Sequence, residues 1–402
     1  MKEEAKMKKC LFCILALIVL VGGLAGCAGA ERSRENLPQS TRQDRGVIAA
    51  ASAAAQARLV AEVPGAGGSG PARDLSLNTT FLERDDGAVV FHVAHQFDPT
   101  HTLHRGLLRF KNEVETRSEG SLIVEVFSNT YGLGGDVALR DMVIDNQLDA
   151  AAITIWGTWH TMTELANFES LPFVFSNYGE AWAAYEGTLG QWVARNIIEP
   201  NGARVLGFYT NGLRHFTNNV RPIYTPADMV GLRMRSPQIA TNLAMYEEFG
   251  AASVSMALGP LYDALAAGTV DGQDNPIAVI HSSRFHEVQR YLSLSNHMFS
   301  SAPLIVSTDF WYSLSAEHQQ ILLESSAIAS RYQGELTMNM EQSQMQEIIA
   351  SGTQVNVVDA NAFMAAVEDI WIDHVERFGN EFITIASRYI SDPNSLAHRF
   401  GS

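Results

Sequence analysis

The chain has 402 residues, of which 46% are hydrophobic and 18% are charged, and its formal net charge is −16 at pH 7. This length exceeds that of one typical domain, and the apolar content is that of a folded protein rather than a disordered one. The acidic balance argues against nucleic-acid binding, which needs a basic face, but a few local arginines would suffice for a small organic anion.

The N-terminal segment has the features of a bacterial lipoprotein signal. Two lysines follow Met7, and the apolar run after them has about 14 residues, fewer than the ~20 needed to span a bilayer. Leu24-Ala-Gly-Cys27 then resembles a lipobox, after which cleavage would leave Cys27 as the acylated first residue. We expect residues 1–27 to be this signal peptide. An ordinary secretory signal and an uncleaved anchor are the alternatives, and all three place the globular part outside the cytoplasm.

Residues 28–88 have the composition of a flexible spacer. An alanine-rich run at 50–55 is followed by a stretch at 64–71 that is rich in glycine and proline, and such sequences bury little surface. The chain's three cysteines all lie in the first 27 residues. The globular part can therefore contain no disulfide, cysteine nucleophile or cysteine metal ligand.

The globular part opens with alternating strands and helices. The sequence predicts strands at residues 88–94, 122–127 and 148–155. A helix follows the first strand, and another, with Asp136 as its expected N-cap, follows the second. Strands joined through helices pair in parallel, so we expect an α/β sheet, with Trp156 just beyond the end of the third strand.

Four histidines near the first strand raise the question of a metal site; they are His92, His95, His101 and His104. His92 and His95 lie an odd number of residues apart on an extended segment, so their side chains point to opposite faces. No nearby carboxylate completes an obvious ligand set. We expect polar groups of a loop or cleft here, with a metal site as the less favoured alternative.

The stretch Gly231-Leu-Arg-Met-Arg-Ser-Pro237 predicts a strand that ends at a cation. Leu232 and Met234 alternate with Arg233 and Arg235, and the final proline disfavours continuing the ladder. Ligands of open α/β sheets lie beyond strand ends, and a guanidinium there matches both oxygens of a carboxylate. The alternative for Arg235 is a solvated surface arginine.

Two later segments also carry signals in the sequence, an extended asparagine before a proline and the start of a long helix. Pro276 favours an extended conformation for Asn275, whose amide can then donate and accept; a turn amide bonded to its own backbone is the alternative. Ser315 is expected to cap a helix that reaches about Ile349. At ~1.5 Å per residue this helix would be about 50 Å long, which exceeds the ~30 Å diameter of a small domain.

Motifs of common enzymes are missing from the sequence: there is no Gly-x-Ser-x-Gly, no His-Glu-x-x-His and no phosphate loop. Asp271 and Asp274 would suit acid–base chemistry, but Asp-Gly at 271–272 is more simply a turn. We therefore expect a protein that is not an enzyme.

Seven short stretches, in order along the chain, resemble one known family. They are Leu133-Gly-Gly-Asp136, Leu171-Pro-Phe-Val-Phe175, Asn211-Gly-Leu-Arg-His-Phe-Thr-Asn-Asn219, Gly231-Leu-Arg-Met-Arg-Ser-Pro237, Ala240-Thr-Asn-Leu243, Val270-Asp-Gly-Gln-Asp-Asn-Pro276 and Phe285-His-Glu-Val288. They make the region from about Phe91 to Ile390 similar to the solute-binding proteins of tripartite ATP-independent periplasmic (TRAP) transporters, DctP type. Asp274 departs from the family's usual Glu.

This resemblance implies an α/β, two-lobed periplasmic-binding-protein-like fold, with a ligand cleft between the lobes and a long helix bridging both. It implies that Arg235 is the main carboxylate-binding residue and that Arg214 is a second arginine that contacts the ligand. It also matches Asn275, Gln96 and Trp156 to positions around the ligand. It implies neither a cofactor nor a metal.

The expected organisation is a signal peptide (1–27), a spacer (28–88), lobe I (89–210 and about 302–335), lobe II (211–301 and about 336–392) and a tail (393–402). The expected function is a receptor in the periplasm or on the outer face of the membrane, tethered through Cys27. It would capture an organic carboxylate, such as a C4-dicarboxylate or sugar acid, and deliver it to TRAP permease subunits. A receptor for a signalling partner and an enzyme acting on a carboxylate are the alternatives.

Overall fold

The computed structural model describes residues 87–237 and 239–401. The expected signal peptide, its Cys27 and nearly all of the expected spacer therefore lie outside the described residues. The strands of the described part are β1 (Val89–Ala94), β2 (Leu122–Phe127), β3 (Ala150–Ala152), β4 (Ala203–Asn218), β5 (Arg233–Ser236), β6 (Ala252–Ser255), β7 (Gly272–Pro276), β8 (Tyr291–Leu294), β9 (Phe299–Ser307) and β10 (Gln354–Val357).

The helices surround these strands. They are α1 (Thr102–Arg117), α2 (Gly135–Ile144), α3 (Tyr178–Glu186), α4 (Thr188–Val193), α5 (Ala240–Glu248), α6 (Leu261–Ala266), α7 (Ile277–Ser282), α8 (Thr308–Ser313), α9 (Ala316–Ala350), α10 (Ala360–Ala366), α11 (Glu368–Phe378), α12 (Glu381–Ser387) and α13 (Leu396–Gly401). The order of strands and helices is that of an α/β protein, as the sequence predicts.

Two sheet regions share the long strand β4. The strand order is β2-β1-β3-β9-β4-β7-β5-β6, with β8 pairing to β4 and β10. β1 pairs in parallel with β2 and β3, which confirms the predicted strand–helix–strand pairing. The first part of β4, Ala203–Leu213, pairs with β9, and its last part, Arg214–Asn218, pairs with β7. β4 thus passes from one sheet region into the other.

A glycine marks the point where β4 changes partners. The pairing of β4 with β9 shifts register between Thr210 and Gly212, and Gly212 has a φ of 133°, which L side chains rarely adopt. A Cβ at Gly212 would lie 2.9 Å from Pro276 Cβ and 3.1 Å from the Tyr178 hydroxyl. The bend and the close packing both require glycine at position 212. Asn211 and Arg214 lie on either side of this bend of β4.

The long helix α9 runs along both parts of the fold. Ser315 caps it by accepting a hydrogen bond from the His318 amide at 3.1 Å, which confirms the predicted start. The helix has 35 residues and contacts α1, β4 and, farther along, α7. Its midpoint is fastened to β4, because the Gln333 amide donates to the Thr210 carbonyl and accepts from the Thr210 N–H, both at 2.8 Å.

Three local features differ from the sequence-based expectation. Asp136 is not the N-cap of α2, which begins two residues earlier than expected, at Gly135, with Gly134 in the cap position. The sequence also predicts one helix across residues 179–196, but the structure interrupts it at Gly187, where the Tyr389 hydroxyl accepts from the Thr188 N–H at 2.9 Å. Residues 396–401, expected as part of a polar tail, form α13 with Leu396 buried.

The C-terminal helices pack against the segment that precedes β4. Trp371 of α11 donates through Nε1 to the Pro172 carbonyl at 3.0 Å. The Phe382 ring of α12 lies against the rings of Phe168 and Trp192, at centroid distances of 5.2 and 6.1 Å. Residues 371–382 therefore contact a segment that is expected to belong to lobe I, although they were themselves expected in lobe II. We propose that the chain returns from lobe II to lobe I before α11.

Candidate ligand-binding cleft

A cavity of about 730 Å³ lies where β5 and the bend of β4 face the loops after β1 and β3. This is the size of a typical small-molecule site. The structure brings all five candidate residues from the sequence to its wall, namely Gln96, Trp156, Arg214, Arg235 and Asn275. Their convergence from five separate strands or loops makes this cavity the candidate site.

Arg235 is a buried residue rather than the solvated surface arginine of the alternative interpretation. It is 4% exposed and is flanked on β5 by the buried residues Met234 and Ser236. Its Nε donates to the Met256 carbonyl at 2.9 Å, which fixes the side chain at the cavity wall. Arg233, by contrast, is exposed and pairs with Asp271 at 2.7 Å. Only one arginine of the strand therefore reaches the cavity.

Arg214 is fully buried and carries its own counter-ion. Its Nε donates to Asp274 Oδ2 at 2.6 Å, and Nη2 donates to the Asp274 carbonyl. The other side of the Asp274 carboxylate accepts from the Tyr246 hydroxyl at 2.5 Å. Nη1 of Arg214 has no hydrogen-bond partner within the described part of the chain. Arg214 is therefore held in place by the protein, with one donor nitrogen still unsatisfied.

The charge on Asp274 is set by its neighbours. Burial alone would raise its pKa, but the Arg214 charge and a hydrogen bond from His297 hold the pKa of this carboxyl well below its usual range. Burial lowers the pKa of His297, whose Nε2 lies 3.3 Å from Asp274 Oδ2. At neutral pH the group is thus a carboxylate–guanidinium pair with a neutral histidine beside it.

Trp156 forms a rigid wall next to Arg214. The guanidinium carbon of Arg214 lies 4.2 Å from the centre of the indole ring, in cation–π contact. The indole N–H donates to Ser300 Oγ at 2.8 Å, and Asn211 Nδ2 donates to the same oxygen at 3.1 Å. These contacts tie the loop after β3 to β9 and to the bend of β4.

Glu169 supports this wall from behind, and sequence reasoning missed it. Its Oε2 accepts from the Trp156 N–H at 3.1 Å, and Oε1 accepts from the Ser301 N–H at 3.0 Å. Oε1 also accepts from the hydroxyls of Ser301 and Tyr185, each at 2.5 Å. Burial raises the pKa of Glu169 to about 7 against the opposing effect of these donors. No local sequence pattern signals this role, because the donors come from three separate segments.

Asn275 and Gln96 complete the set of candidate residues. Asn275 is buried on β7, and its Nδ2 donates to Gln273 Oε1 rather than to its own backbone. Gln273 in turn donates to Thr217 Oγ1 at 2.8 Å, so the amide orientation is fixed by a chain of hydrogen bonds. Gln96 is half-buried in the loop after β1.

Asp136 is a further cavity residue that the sequence reasoning interpreted as a helix cap. Gly134 and Gly135, with φ values of 104° and 73°, turn the chain so that Asp136 lies on the cavity side of α2. Its Oδ2 accepts from the Thr154 N–H at 3.0 Å and from the Thr154 hydroxyl at 2.8 Å. Burial raises the pKa of Asp136 to about 6. The Leu-Gly-Gly-Asp turn is the signal that marks it in the sequence.

The four histidines are engaged within the protein. His92 pairs with Asp149 at 2.7 Å, and His95 Nε2 lies 2.9 Å from His104 Nδ1. His101 caps α1 by accepting from the Leu103 N–H at 3.1 Å. Across residues 87–237 and 239–401, no group of three or more His, Cys, Asp or Glu side chains is placed to hold a metal ion.

Comparisons with known proteins agree with this architecture. The family model of bacterial extracellular solute-binding proteins, family 7 (DctP), matches residues 93–377. The 2,3-diketo-L-gulonate-binding periplasmic protein YiaO of Escherichia coli is 28% identical over 290 residues, which are 70% of this chain and 86% of that protein.

Solved structures of TRAP periplasmic solute-binding proteins share the fold. One, from Polaromonas sp. JS666 with bound D-erythronate, has a TM-score of 0.70 and 29% identity, and the match covers 75% of this chain and 98% of that one. Another, from Chromohalobacter salexigens with bound D-glucuronate, has a TM-score of 0.69 and 27% identity, with coverage of 74% and 98%. The chain therefore belongs to family 7 of the bacterial extracellular solute-binding proteins, the DctP family, as a two-lobed TRAP solute-binding protein and not an enzyme.

Proposed function

We propose that the chain captures an organic carboxylate in the cleft through Arg235 and delivers it to the membrane subunits of a TRAP permease. The observation that carries this proposal is the burial of Arg235 at the cavity wall, with Nε fixed by the Met256 carbonyl. A fixed planar guanidinium matches both oxygens of a carboxylate. Nη1 of Arg214 and the amide of Asn275 would bind further oxygens of the ligand. The ligands named for the relatives above are also organic acids.

The test compares Arg235→Ala and Arg235→Lys with the wild type by titration calorimetry, using D-erythronate and D-glucuronate as probes. Losing a buried charged partner costs about 2–5 kcal/mol, or roughly 30- to 4000-fold in affinity. Arg235→Lys should also lose most of the affinity, because an ammonium group lacks the paired, planar N–H donors of a guanidinium. Arg233→Ala is the matched control, since this exposed neighbour on β5 is paired with Asp271 instead. Affinity within threefold of wild type for Arg235→Ala would overturn the assignment.

The membrane tether is a separate part of the proposal. Cys27 would carry the acyl chains, and no helix in the described ranges is long and apolar enough to span a bilayer. The tethered receptor would hand its ligand to the permease outside the cytoplasm. Mass spectrometry of the protein extracted from membranes should find a mature chain that begins at an acylated Cys27; a membrane-bound chain that retains residues before Cys27 would show that this cysteine is not the tether.

A further inference from the structure

A second cavity, of about 610 Å³, lies where α4 and the turn after it meet α12. None of its described lining residues also lines the ligand-binding cleft. Most of these residues are polar, and they include two arginines, Arg195 and Arg388, but one carboxylate, that of Glu381. Positive charge therefore prevails at this α4–α12 cavity, in a chain whose formal net charge is −16.

The two arginines of the α4–α12 cavity are exposed and have no counter-ion in the part of the chain that the structure describes. Neither guanidinium forms a hydrogen bond or an ion pair there, and Glu381 pairs with neither of them although it lines the same cavity. Other exposed arginines are engaged, as in the pair of Arg331 with Glu186 at 3.1 Å. An anion from solution can therefore bind Arg195 and Arg388 without breaking an existing ion pair.

The backbone departs from an α-helix where it brings Arg195 to the cavity. Helix α4 ends at Val193 and is followed by a π-helical turn, Ala194–Ile198. Such turns are rare and occur frequently at functional sites. Arg195 and Asn196 of this turn both line the cavity, and Asn196 Nδ2 donates to the Trp192 carbonyl at 2.9 Å. The uncommon backbone is a second observation, independent of charge, that indicates a binding role.

The two segments that carry the arginines are fastened to each other. Trp192 is buried, and its ring lies against the ring of Phe382 of α12, with 6.1 Å between centroids. The Thr188 hydroxyl of α4 lies 2.9 Å from the hydroxyl of Tyr389, the residue after Arg388. The walls of the cavity are thus held in place before any ligand arrives, which lowers the cost of binding.

The donors around the cavity suit a phosphate group better than a carboxylate. A guanidinium matches either anion, but single ion pairs at exposed sites contribute little. A phosphomonoester carries a charge of about −1.5 to −2 near pH 7 and has three acceptor oxygens. It can accept from both arginines and from the carboxamides of Gln191 and Asn380, which also line the cavity. The cavity is larger than a phosphate ion, and Ile385 adds apolar surface for an organic group.

From these observations we propose that the α4–α12 cavity is a second binding site, which takes the phosphate group of an organic phosphomonoester through Arg195 and Arg388. This site is separate from the cleft and does not depend on the function proposed for the cleft. The phosphate group can come from a soluble metabolite or from the headgroup of an anionic lipid such as phosphatidic acid.

The first experiment titrates the full chain at pH 7.5 with inorganic phosphate and with glycerol 3-phosphate, each to about 10 mM, and measures binding by calorimetry. Arg195→Ala and Arg388→Ala should each weaken binding of glycerol 3-phosphate by at least about tenfold. Arg290→Ala is the matched control, because Arg290 is also exposed and its side chain is unpaired in the described ranges, but it does not line this cavity. All three variants remove one exposed charge, so only the position of the charge differs.

Glu381→Gln tests the same site with the opposite sign. The carboxylate of Glu381 repels a phosphate group, and glutamine removes its charge while keeping its shape. We expect glycerol 3-phosphate to bind up to about fivefold tighter, the effect of one exposed charge. A gain of affinity cannot be produced by damage to the fold.

Vesicles distinguish the two sources of phosphate. Flotation compares the binding of the full chain to vesicles of phosphatidic acid and of phosphatidylcholine, and the excess on phosphatidic acid is the readout, because an acyl anchor would bind both. Binding of glycerol 3-phosphate that needs both arginines supports a soluble ligand. An excess on phosphatidic acid that Arg195→Ala removes, without binding of glycerol 3-phosphate, supports a lipid headgroup. If no probe binds to the wild type, or if Arg195→Ala and Arg388→Ala bind as tightly as Arg290→Ala, the proposal is overturned, while carboxylate binding in the cleft is unaffected.

Discussion

Arg214 and Asp274 form an ion pair with 2.6 Å between Nε and Oδ2, and neither side chain is appreciably exposed. The pair joins β4, just past its bend, to β7, so it fastens the start of the second sheet region at the cavity wall. The two arginines of the cleft therefore differ. Arg214 is positioned by a carboxylate of the protein, whereas Arg235 is held through a backbone carbonyl. We assign Arg214 mainly to positioning and Arg235 to the carboxylate of the ligand.

Asp274→Asn should destabilise the protein strongly, because it leaves the buried Arg214 charge without its counter-ion. Breaking a buried pair from one side costs about 3–5 kcal/mol in the free energy of unfolding. Urea denaturation at pH 7 measures this loss. Asp271→Asn, which breaks the more exposed pair with Arg233, is the control and should cost much less. Equal losses in the two variants would contradict the role given to the buried pair.

The same pair predicts how stability responds to acid. A carboxyl whose pKa is depressed by folding contributes stability that is fully present above its unfolded pKa of about 3.9. This contribution is lost only as the pH falls through the lower pKa of the folded state. The stability difference between wild type and Asp274→Asn should therefore stay constant between pH 8 and pH 5. A difference that shrinks within this range would show that Asp274 is not held ionised.

Local patterns in the sequence predicted the parts of the fold that depend on neighbours in the chain. Period-two alternation marks β5 and puts Arg235 at its end, and Ser315 alone signals the start of α9. Asp136 was misread because an acid before a helical stretch is usually a cap, whereas two left-handed glycines move the helix start here. The convergence of cavity residues followed from resemblance and not from pattern.

Features that depend on remote contacts were beyond reach. Glu169 looks like any acid in a polar segment, and only the fold brings donors from Trp156, Tyr185 and Ser301 to it. The packing of α13 likewise depends on α12, whose Thr384 hydroxyl donates to the Gly401 carbonyl at 2.7 Å. Composition made residues 393–402 look like a tail because their few apolar side chains give no periodic signal.

Glu169→Gln should loosen the wall of the cleft. Each oxygen of Glu169 accepts from a backbone N–H, one of Trp156 and one of Ser301, so either orientation of the glutamine turns an amide group towards a donor. An unsatisfied buried N–H costs about 1–3 kcal/mol, and we expect the unfolding free energy to fall by that amount. Affinity for D-erythronate should fall as well, since Trp156 loses its backbone anchor. Unchanged stability and affinity would show that Glu169 does not position the wall.

Glu169 also predicts a pH dependence of opposite sign to that of Asp274. Its folded pKa of about 7 lies above the unfolded value, so its stabilising contribution is complete below about pH 4.5 and is lost as the pH rises through 7. The stability of the wild type relative to Glu169→Gln should rise as the pH is lowered from 8 to 5, by on the order of 1–2 kcal/mol. Urea titrations at several pH values measure the slope, and a flat difference would refute the raised pKa.

Gln333→Leu should weaken the attachment of α9 to β4. The Gln333 amide pairs with both the N–H and the carbonyl of Thr210, and leucine leaves these two buried groups unsatisfied. At about 1–3 kcal/mol for each group, the unfolding free energy should fall by roughly 2–6 kcal/mol. Gln320→Leu is the control, because this residue is exposed on the same helix and donates to Glu324. If the unfolding free energy falls no more than in the control, Gln333 does not hold α9 to β4.

Tyr178→Phe should weaken the contact between the two lobes, because the Tyr178 hydroxyl links the long helix to the bend of β4. It donates to Glu341 of α9 and accepts from the Leu213 N–H at 3.2 Å, next to Gly212. Burial raises the pKa of Glu341 to about 7, and the hydrogen bond from the Tyr178 hydroxyl opposes this rise. Phenylalanine removes this link, and we expect α9 to be held less tightly against the bend of β4.

Small-angle scattering with and without saturating ligand measures the effect of Tyr178→Phe. With α9 held less tightly against β4, the unliganded variant should be more expanded than the unliganded wild type. The two liganded forms should remain alike, because the ligand itself holds the lobes together. The affinity of the variant for its ligand should fall modestly. Part of the binding free energy is then used to bring the more expanded unliganded forms into the bound form. Tyr312→Phe, at a side chain that is 67% exposed on α8, should leave both profiles unchanged. Identical compaction in wild type and Tyr178→Phe would mean that the bend of β4 is set by Gly212 and its packing alone.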